Sequence, residues 1–506
     1  MKRFFLIGSL SALAILIGVV LAVGRGPKPQ YPYMHADPQK IDPEAPINKE
    51  ALIKDIDYYV ALIDSAQADP YRQITKQSFM LKAAEMKGRV RDLRLDAIPL
   101  IDCYYYMQEL AASLQDEHTK INFQPEWRKS CPDRFPLDIR IFEEKAYVRQ
   151  DFSDANIPQY AELVRVADKP VVEMLSETQK FINVTLPHYK RQIAERSFDT
   201  WLQTYFKFAP PWKIVYRFEG EEKTVEVVGI PEKEFVEEDA KASQYSETSF
   251  RVGDEIVPLL EIPKFWCPDQ AAYNKFMDDF FQKHKDKNYL VIDLRRNPGG
   301  DGRWGFFVLD YFLESSYITV KRFDFKISNE FVKLNYYYRD MTYYEKRIPR
   351  LLWWFPPLKT LHESYWMDKV YQAEIGEYTE ERDTYRIPDP GKAKFKGKPF
   401  LLVSHFTNSA AVVFSAIFKN NKLGTIVGQE TGGRETFTSD SISIQMPNSP
   451  LLAFIPVAIL ALPGNNPERG VLPDVEVEYS LEDEISQKDL DLERVKEIIR
   501  KGLGIK

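Results

Sequence analysis

Cysteine and histidine are both scarce in this chain of 506 residues, with three of the first and six of the second. Three cysteines, Cys103, Cys131 and Cys267, are too few for a disulfide framework. Cys131 and Cys267 each sit in a Cys-Pro-Asp segment, and an oxidising compartment would permit them to pair, which the sequence leaves open. No Cys-x-x-Cys or His-Glu-x-x-His spacing occurs, so no metal site is expected. An excess of one charge is missing too. Lysine and arginine (68) and aspartate and glutamate (75) are spread along the chain for a net charge of -7, which excludes the basic footprint of a nucleic-acid binder. No Gly-Lys-Ser/Thr follows the Gly299-Gly300 turn, which argues against a nucleotide site, and no cofactor is implied. Internal repeats and low-complexity segments are absent.

What is present is apolar residue in quantity, 44%, enough to bury cores in a chain whose length suggests more than one domain. The N-terminus stands apart: Met1-Lys2-Arg3, an apolar run from Phe4 through Gly24, then Arg25. That run is long enough to span a bilayer as a helix, and the flanking cations favour a cytoplasmic N-terminus. The expectation is a signal anchor over 1–24, with the body outside the cytoplasm in the cell envelope. Ala22-Val23-Gly24 offers a cleavage site that would make the run a signal peptide and the body secreted. Residues 25–47, with six prolines, read as an extended tether.

Helical periodicity starts next, with Leu52, Ile56, Val60 and Ile63 on one face. Further helices are expected over 75–90 and 100–114, Pro99 suiting the first turn of the last, so that 48–125 forms a helical cap carrying His118. From 134 to 235 short β-like runs prevail, with a helix near 195–207 and a hairpin turning at Glu219-Gly220. From 250 to 480 strand and helix alternate, the pattern of an α/β core with a largely parallel sheet, before a C-terminal helix in 481–506. Between 326 and 395 the rhythm breaks into an aromatic-rich insertion that includes Tyr336-Tyr337-Tyr338 and Leu351-Leu352-Trp353-Trp354-Phe355. It reads either as an added element with its own small core or as a lid or membrane-facing rim.

Ser409 lies in Thr407-Asn408-Ser409-Ala410-Ala411, between a strand-like run (400–403) and a helix-like one (412–418). A nucleophile suits such a turn, which exposes the hydroxyl and aims the following N–H groups at an oxyanion. Three other segments accompany it: Asp293-Leu294-Arg295-Arg296-Asn297-Pro298-Gly299-Gly300, Gly428-Gln429-Glu430-Thr431-Gly432-Gly433, and Leu114-Gln115-Asp116-Glu117-His118-Thr119. In order and spacing, over most of the chain after residue 48, these resemble the C-terminal-processing (tail-specific) and tricorn-core serine peptidases.

The resemblance implies a crotonase-like α/β core of sheet and helix, a helical cap and a PDZ-like β-rich middle domain. The glycine-rich carboxylate loop usual in PDZ modules is not recognisable around Phe135 and Pro136. In the tail-specific branch a lysine lies 25 positions after the serine. That position here is Arg434, whose guanidinium does not accept a proton, so a Ser-Lys dyad is excluded there. The tricorn-like branch instead takes a histidine from a Leu-x-Asp-x-His-Thr segment and a glutamate two residues before the glycine of Gly-Val-x-Pro-Asp. This chain supplies both, with Glu117 in place of the glycine often found before that histidine.

The resemblance therefore implies Ser409 as nucleophile, His118 as general base and then acid, and Glu468 as the carboxylate that orients the imidazole, directly or through a bridging hydroxyl. It also implies an oxyanion hole drawn from Gly299, Gly300 and Ala410, with Asp293, Arg295 and Asn297 holding the loop. His405, four residues before Ser409, is the rival base. The expected activity is that of an extracytoplasmic serine endopeptidase acting on peptides or unfolded proteins. Val412 stands where an acidic residue is often found, so the alternatives are a non-catalytic binder of apolar ligands or peptides on the same fold, or a tethered scaffold.

Overall fold

The computed structural model describes residues 41–122, 133–231, 245–346, 348, 372–464, 466–486 and 488–505 of a mixed α/β protein built on several sheets. The apolar run before Arg25, Cys131 and the 351–357 segment lie outside the described residues. Among the described residues no helix is long and apolar enough to cross a membrane. Cys267 places its Sγ 2.8 Å from the Asp269 carbonyl.

Asn48 and Thr75 open α1 (Lys49–Ala66) and α2 (Lys76–Arg91) by accepting hydrogen bonds from the Glu50 and Ser78 amides. Along α1, Leu52, Ile56, Tyr59 and Ile63 recur every three or four residues and are wholly buried. In α3 (Leu100–Ala112) Pro99 sits just before the first turn, in an extended conformation. The helix stops short of Leu114, and the chain then turns at Gln115 (φ 55°) into the loop that carries His118 and on to β1 (Lys120–Asn122).

The middle region pairs β2 (Leu137–Phe142), β3 (Lys145–Asp151) and β4 (Glu162–Val166) with β5 (Trp212–Phe218) and β6 (Glu221–Val227), in the order β6-β5-β4-β3-β2. Between β4 and β5 come α4 (Val171–Thr178) and α5 (Pro187–Thr204). The latter starts well before residue 195 because Pro187 occupies its first turn, where a missing N–H loses nothing.

The larger sheet runs β7 (Ser246–Val252), β8 (Glu255–Glu261), β9 (Tyr289–Asp293), β12 (Lys398–Val403), β13 (Thr425–Gly428) and β16 (Val475–Glu476), parallel from β8 onward. All five residues of β9 are buried, as a strand covered on both faces requires. Its alternate side chains part: Leu290 and Ile292 enter the cluster that holds α7 (Gly302–Leu309) and α9 (Ala410–Asn420). Tyr289 and Val291 meet Val495 and Ile499 of the C-terminal helix, Leu490–Leu503.

A second, antiparallel sheet joins β11 (Tyr378–Arg386), β10 (Tyr317–Lys326), β15 (Leu452–Ala461) and β14 (Thr436–Gln445), with β1 of the cap paired to β15. The ends of the aromatic insertion thus belong to this sheet rather than to a separate element. β11 is its edge strand, and Phe331 of α8 (Asn329–Glu345) stacks on Phe325 of β10 with centroids 5.6 Å apart.

Where β9 ends, Arg295 turns back. Its guanidinium bonds Asp293 (2.6 Å), Asp489 (2.6 Å) and the buried Asp491 (3.2 Å), tying the strand end to the C-terminal helix. Removing it strands two largely buried carboxylates. Arg295→Ala is expected to lower the stability of the core by about 3–5 kcal/mol in urea unfolding and to open the 480–490 region to limited proteolysis. An unchanged midpoint would mean that the network is peripheral.

Candidate active site

Ser409 is the N-cap of α9, with φ 51° and ψ -120°, a conformation that non-glycine residues rarely adopt. An N-cap serine ordinarily accepts a hydrogen bond from the helix's first turn, but the Ser409 side chain makes no such bond. Its Oγ instead lies 3.4 Å from His118 Nε2. The two residues are 291 positions apart, and the cap and core bring them together.

The loop 294–300 sets this turn. Asn297 is fully buried, and its Nδ2 donates to the Ile262 carbonyl (2.9 Å) while its Oδ1 accepts from the Gly299 amide (2.8 Å). The Asn408 amide donates to the Asn297 carbonyl at 3.1 Å, and Thr407 Oγ1 donates to the Leu294 carbonyl at 2.9 Å. Gly299 (φ 102°) passes so close that a Cβ there would lie 2.6 Å from Ser409 Cβ and 2.9 Å from the Ala410 nitrogen. Gly300 (φ 133°) is similarly pressed against the Phe265 backbone. The Gly299 amide is thus engaged by Asn297. Among the described residues those of Gly300 and Ala410 have no backbone partner outside regular structure.

His118 follows the turn after α3. Asn183 clamps that turn, its Nδ2 donating to the carbonyls of Asp116 (3.0 Å), Glu117 (3.2 Å) and Thr119 (2.8 Å). Phe437 of β14 stacks on the imidazole at 5.6 Å. Burial pushes the His118 pKa below its ordinary value, with Asp116 opposing that shift and Lys120 adding to it. Glu117, preceding it, is pushed up to about 8, by burial first and then by the charge of Asp116.

Among the described residues Glu468 makes no hydrogen bond to His118. Its Oε1 accepts from Arg72 Nη2 at 2.6 Å and its Oε2 pairs with Arg434 Nη1 at 3.0 Å. Although burial opposes its charge, Arg72 and then Arg434 hold its carboxyl below the usual range. The spacing Glu-Arg-Gly-Val-x-Pro-Asp located this residue without revealing that two arginines would hold it, one of them on the cap. His405 is turned elsewhere, with its Nδ1 on the Glu430 carbonyl (3.0 Å) and its ring stacked on His188 (4.3 Å). Tyr189 of α5, which the sequence did not single out, reaches the nucleophile loop: Asn408 Nδ2 donates to its Oη at 2.7 Å. A cavity of about 40 Å³ is bordered by Arg72, Leu114, Asp116, Glu117, Leu186, Arg434 and Phe437, among others, although His118 and Ser409 do not line it.

The model of peptidase family S41 matches residues 257–477. Mature CPAF in complex with lactacystin superposes with a TM-score of 0.64 at 15% identity, over 89% of this chain and 98% of that one. Mature CPAF alone gives 0.63 at 15% identity, over 89% and 97%. The photosystem II D1 C-terminal processing protease gives 0.40 at 13% identity, over 87% and 98%. No curated protein matches the chain. The likeness to CPAF is one of fold, while the family match spans the parallel sheet, the 294–300 loop and Ser409. Over residues 257–477 the chain is thus similar to the serine-type peptidases of family S41.

Proposed function

We propose that the protein is an endopeptidase that cleaves peptide bonds through an acyl-enzyme on Ser409, with His118 as the base, in the manner of the histidine-dependent branch. The observation that carries this reading is the strained N-cap serine whose hydroxyl, freed from capping, faces His118 Nε2 at 3.4 Å. Ser409 Oγ attacks the substrate carbonyl carbon as His118 Nε2 takes its proton. The Gly300 and Ala410 N–H groups receive the oxyanion. The same proton then passes to the leaving amine, the C–N bond breaks, and a water activated by His118 releases the acyl group.

Arg434 stands where the other branch has its lysine. Its ion pair with Glu468 fits a charged, structural guanidinium. Further parts of the reading are a crotonase-like arrangement of the core, a PDZ-like middle region and a location outside the cytoplasm. The last rests on Lys2, Arg3 and the apolar run that follows.

Three outcomes test it. A fluorophosphonate should label the wild type at Ser409, and Ser409→Ala and His118→Ala should each lose most turnover; labelling elsewhere, or none, refutes the nucleophile. Gly299→Ala should lower kcat/KM by about 100-fold or more, because its Cβ would displace the Ser409 backbone; near-normal turnover would mean that the loop approach is not needed. Because burial depresses the His118 pKa, the neutral, proton-accepting ring persists to lower pH. The acid limb of kcat/KM should then fall below the ordinary imidazole value of 6.5, and a limb above it would contradict His118 as the base.

A further inference from the structure

With Glu468 held by two arginines, a different carboxylate is disposed to serve the imidazole. Asp116, two residues before His118, accepts the His118 backbone N–H on Oδ1 at 2.9 Å. Thr438 Oγ1 of β14 lies 2.7 Å from both of its oxygens, and Gln67 Nε2, at the end of α1, donates to Oδ2 at 3.2 Å. Three elements thus fix one carboxylate with neutral donors. Among the described residues no lysine or arginine forms an ion pair with Asp116, so its charge is not cancelled locally as that of Glu468 is. His118 Nδ1 is buried and, among the described residues, has no hydrogen-bond partner. The ring is therefore oriented by its backbone, by the turn that Asp116 closes, and by Phe437.

We propose that Asp116 is the positioning carboxylate of this site: it fixes His118 through the 116–119 turn and sets a negative charge beside the imidazolium formed when Ser409 gives up its proton. The proposal rests on the reading of Ser409 and His118 as nucleophile and base. The proton moves only from Ser409 Oγ to His118 Nε2 and onward to the leaving amine. The other groups that bear on the ring fit this role. Lys120 works against the imidazolium, as does burial, and Asp116 is the group that favours it. Glu117, pushed up to about 8, carries little charge at neutral pH. Arg434 borders the same cavity as Asp116, but its charge is shared with Glu468.

The test is a histidine titration in the full-length chain carrying Ser409→Ala, followed by NMR of ring-labelled histidine, with His118→Ala assigning the signal. Asp116→Asn, which keeps the shape and removes the charge, should lower the His118 midpoint by about half a unit or more. Asp116→Glu should restore most of it, and Glu468→Gln should leave it in place. With Ser409 intact, Asp116→Asn should also slow phosphonate labelling by about 10-fold or more. A midpoint unmoved by Asp116→Asn, or moved by Glu468→Gln in its place, overturns the proposal. Should Asp116→Asn fail to fold, Thr438→Val is read instead: it removes one anchor of the carboxylate, and unchanged labelling would equally overturn the idea. Failure of the wild type to label at Ser409 would sink the peptidase reading, while the titration would still decide the role of Asp116.

Discussion

The close approach of the 294–300 loop to the backbone at Ser409 is the constraint on which the site depends. A serine at φ 51° carries strain of about 1–3 kcal/mol, and it persists only where its surroundings over-determine it. Here they do so by hydrogen bonds from both sides: Asn408 to Asn297, Thr407 to Leu294, and Asn297 in turn to Ile262. The absence of a side chain at Gly299 is what lets the two loops touch, because a Cβ would lie only 2.6 Å from Ser409 Cβ. The same contact diverts the serine hydroxyl from capping α9, so strain and reactivity have one origin.

The parallel sheet supplies the frame for this contact. β9 and β12 are adjacent and run in the same direction, so the loops that follow them, 294–300 and 404–409, emerge side by side at the carboxyl ends of their strands. The strands are apolar on both faces, and the two hydrophobic clusters that receive them fix their register. Arg295 then locks the exit of β9 to the C-terminal helix, so a residue more than a hundred positions from Ser409 still bears on the geometry of the nucleophile loop.

Much of this was legible in the sequence where it depended on local chemistry. The apolar faces of the cap helices, the apolar run Leu290-Val291-Ile292 of β9, the small-residue turn around Ser409 and the glycine pair at 299–300 each declare their conformation within a few residues. So does Arg434, since no environment turns a guanidinium into a ready base. What stayed hidden depends on partners far away in the chain. The second sheet is hidden in the sequence because the adjacent strands β14 and β15 join β10, far earlier in the chain, only in the fold, through β15. Gly299 and Gly300 looked equivalent until Asn297 was seen to engage one amide and leave the other. Glu468 fitted a motif, yet Arg72 of the cap, 396 positions away, determines where its carboxylate points.

Because His118 lies on the cap and Ser409 on the core, their meeting exists only where the two parts dock. Their junction is built from polar as well as apolar contacts. Asp55, fully buried on α1, accepts both the backbone and side-chain nitrogens of Asn448 at 2.9 Å, and Ala68 donates to the Pro456 carbonyl at 2.9 Å. The Arg72–Glu468–Arg434 cluster bridges the same junction at the edge of the cavity. A buried carboxylate is stabilised only while its donors stay in position, which makes these contacts sensitive to registration as much as to proximity. Glu468, paired with Arg72 of the cap and with Arg434, joins cap to core at this edge. The proposed positioning carboxylate, Asp116, depends on the same docking, since it is held by Gln67 at the end of α1 and by Thr438 of β14.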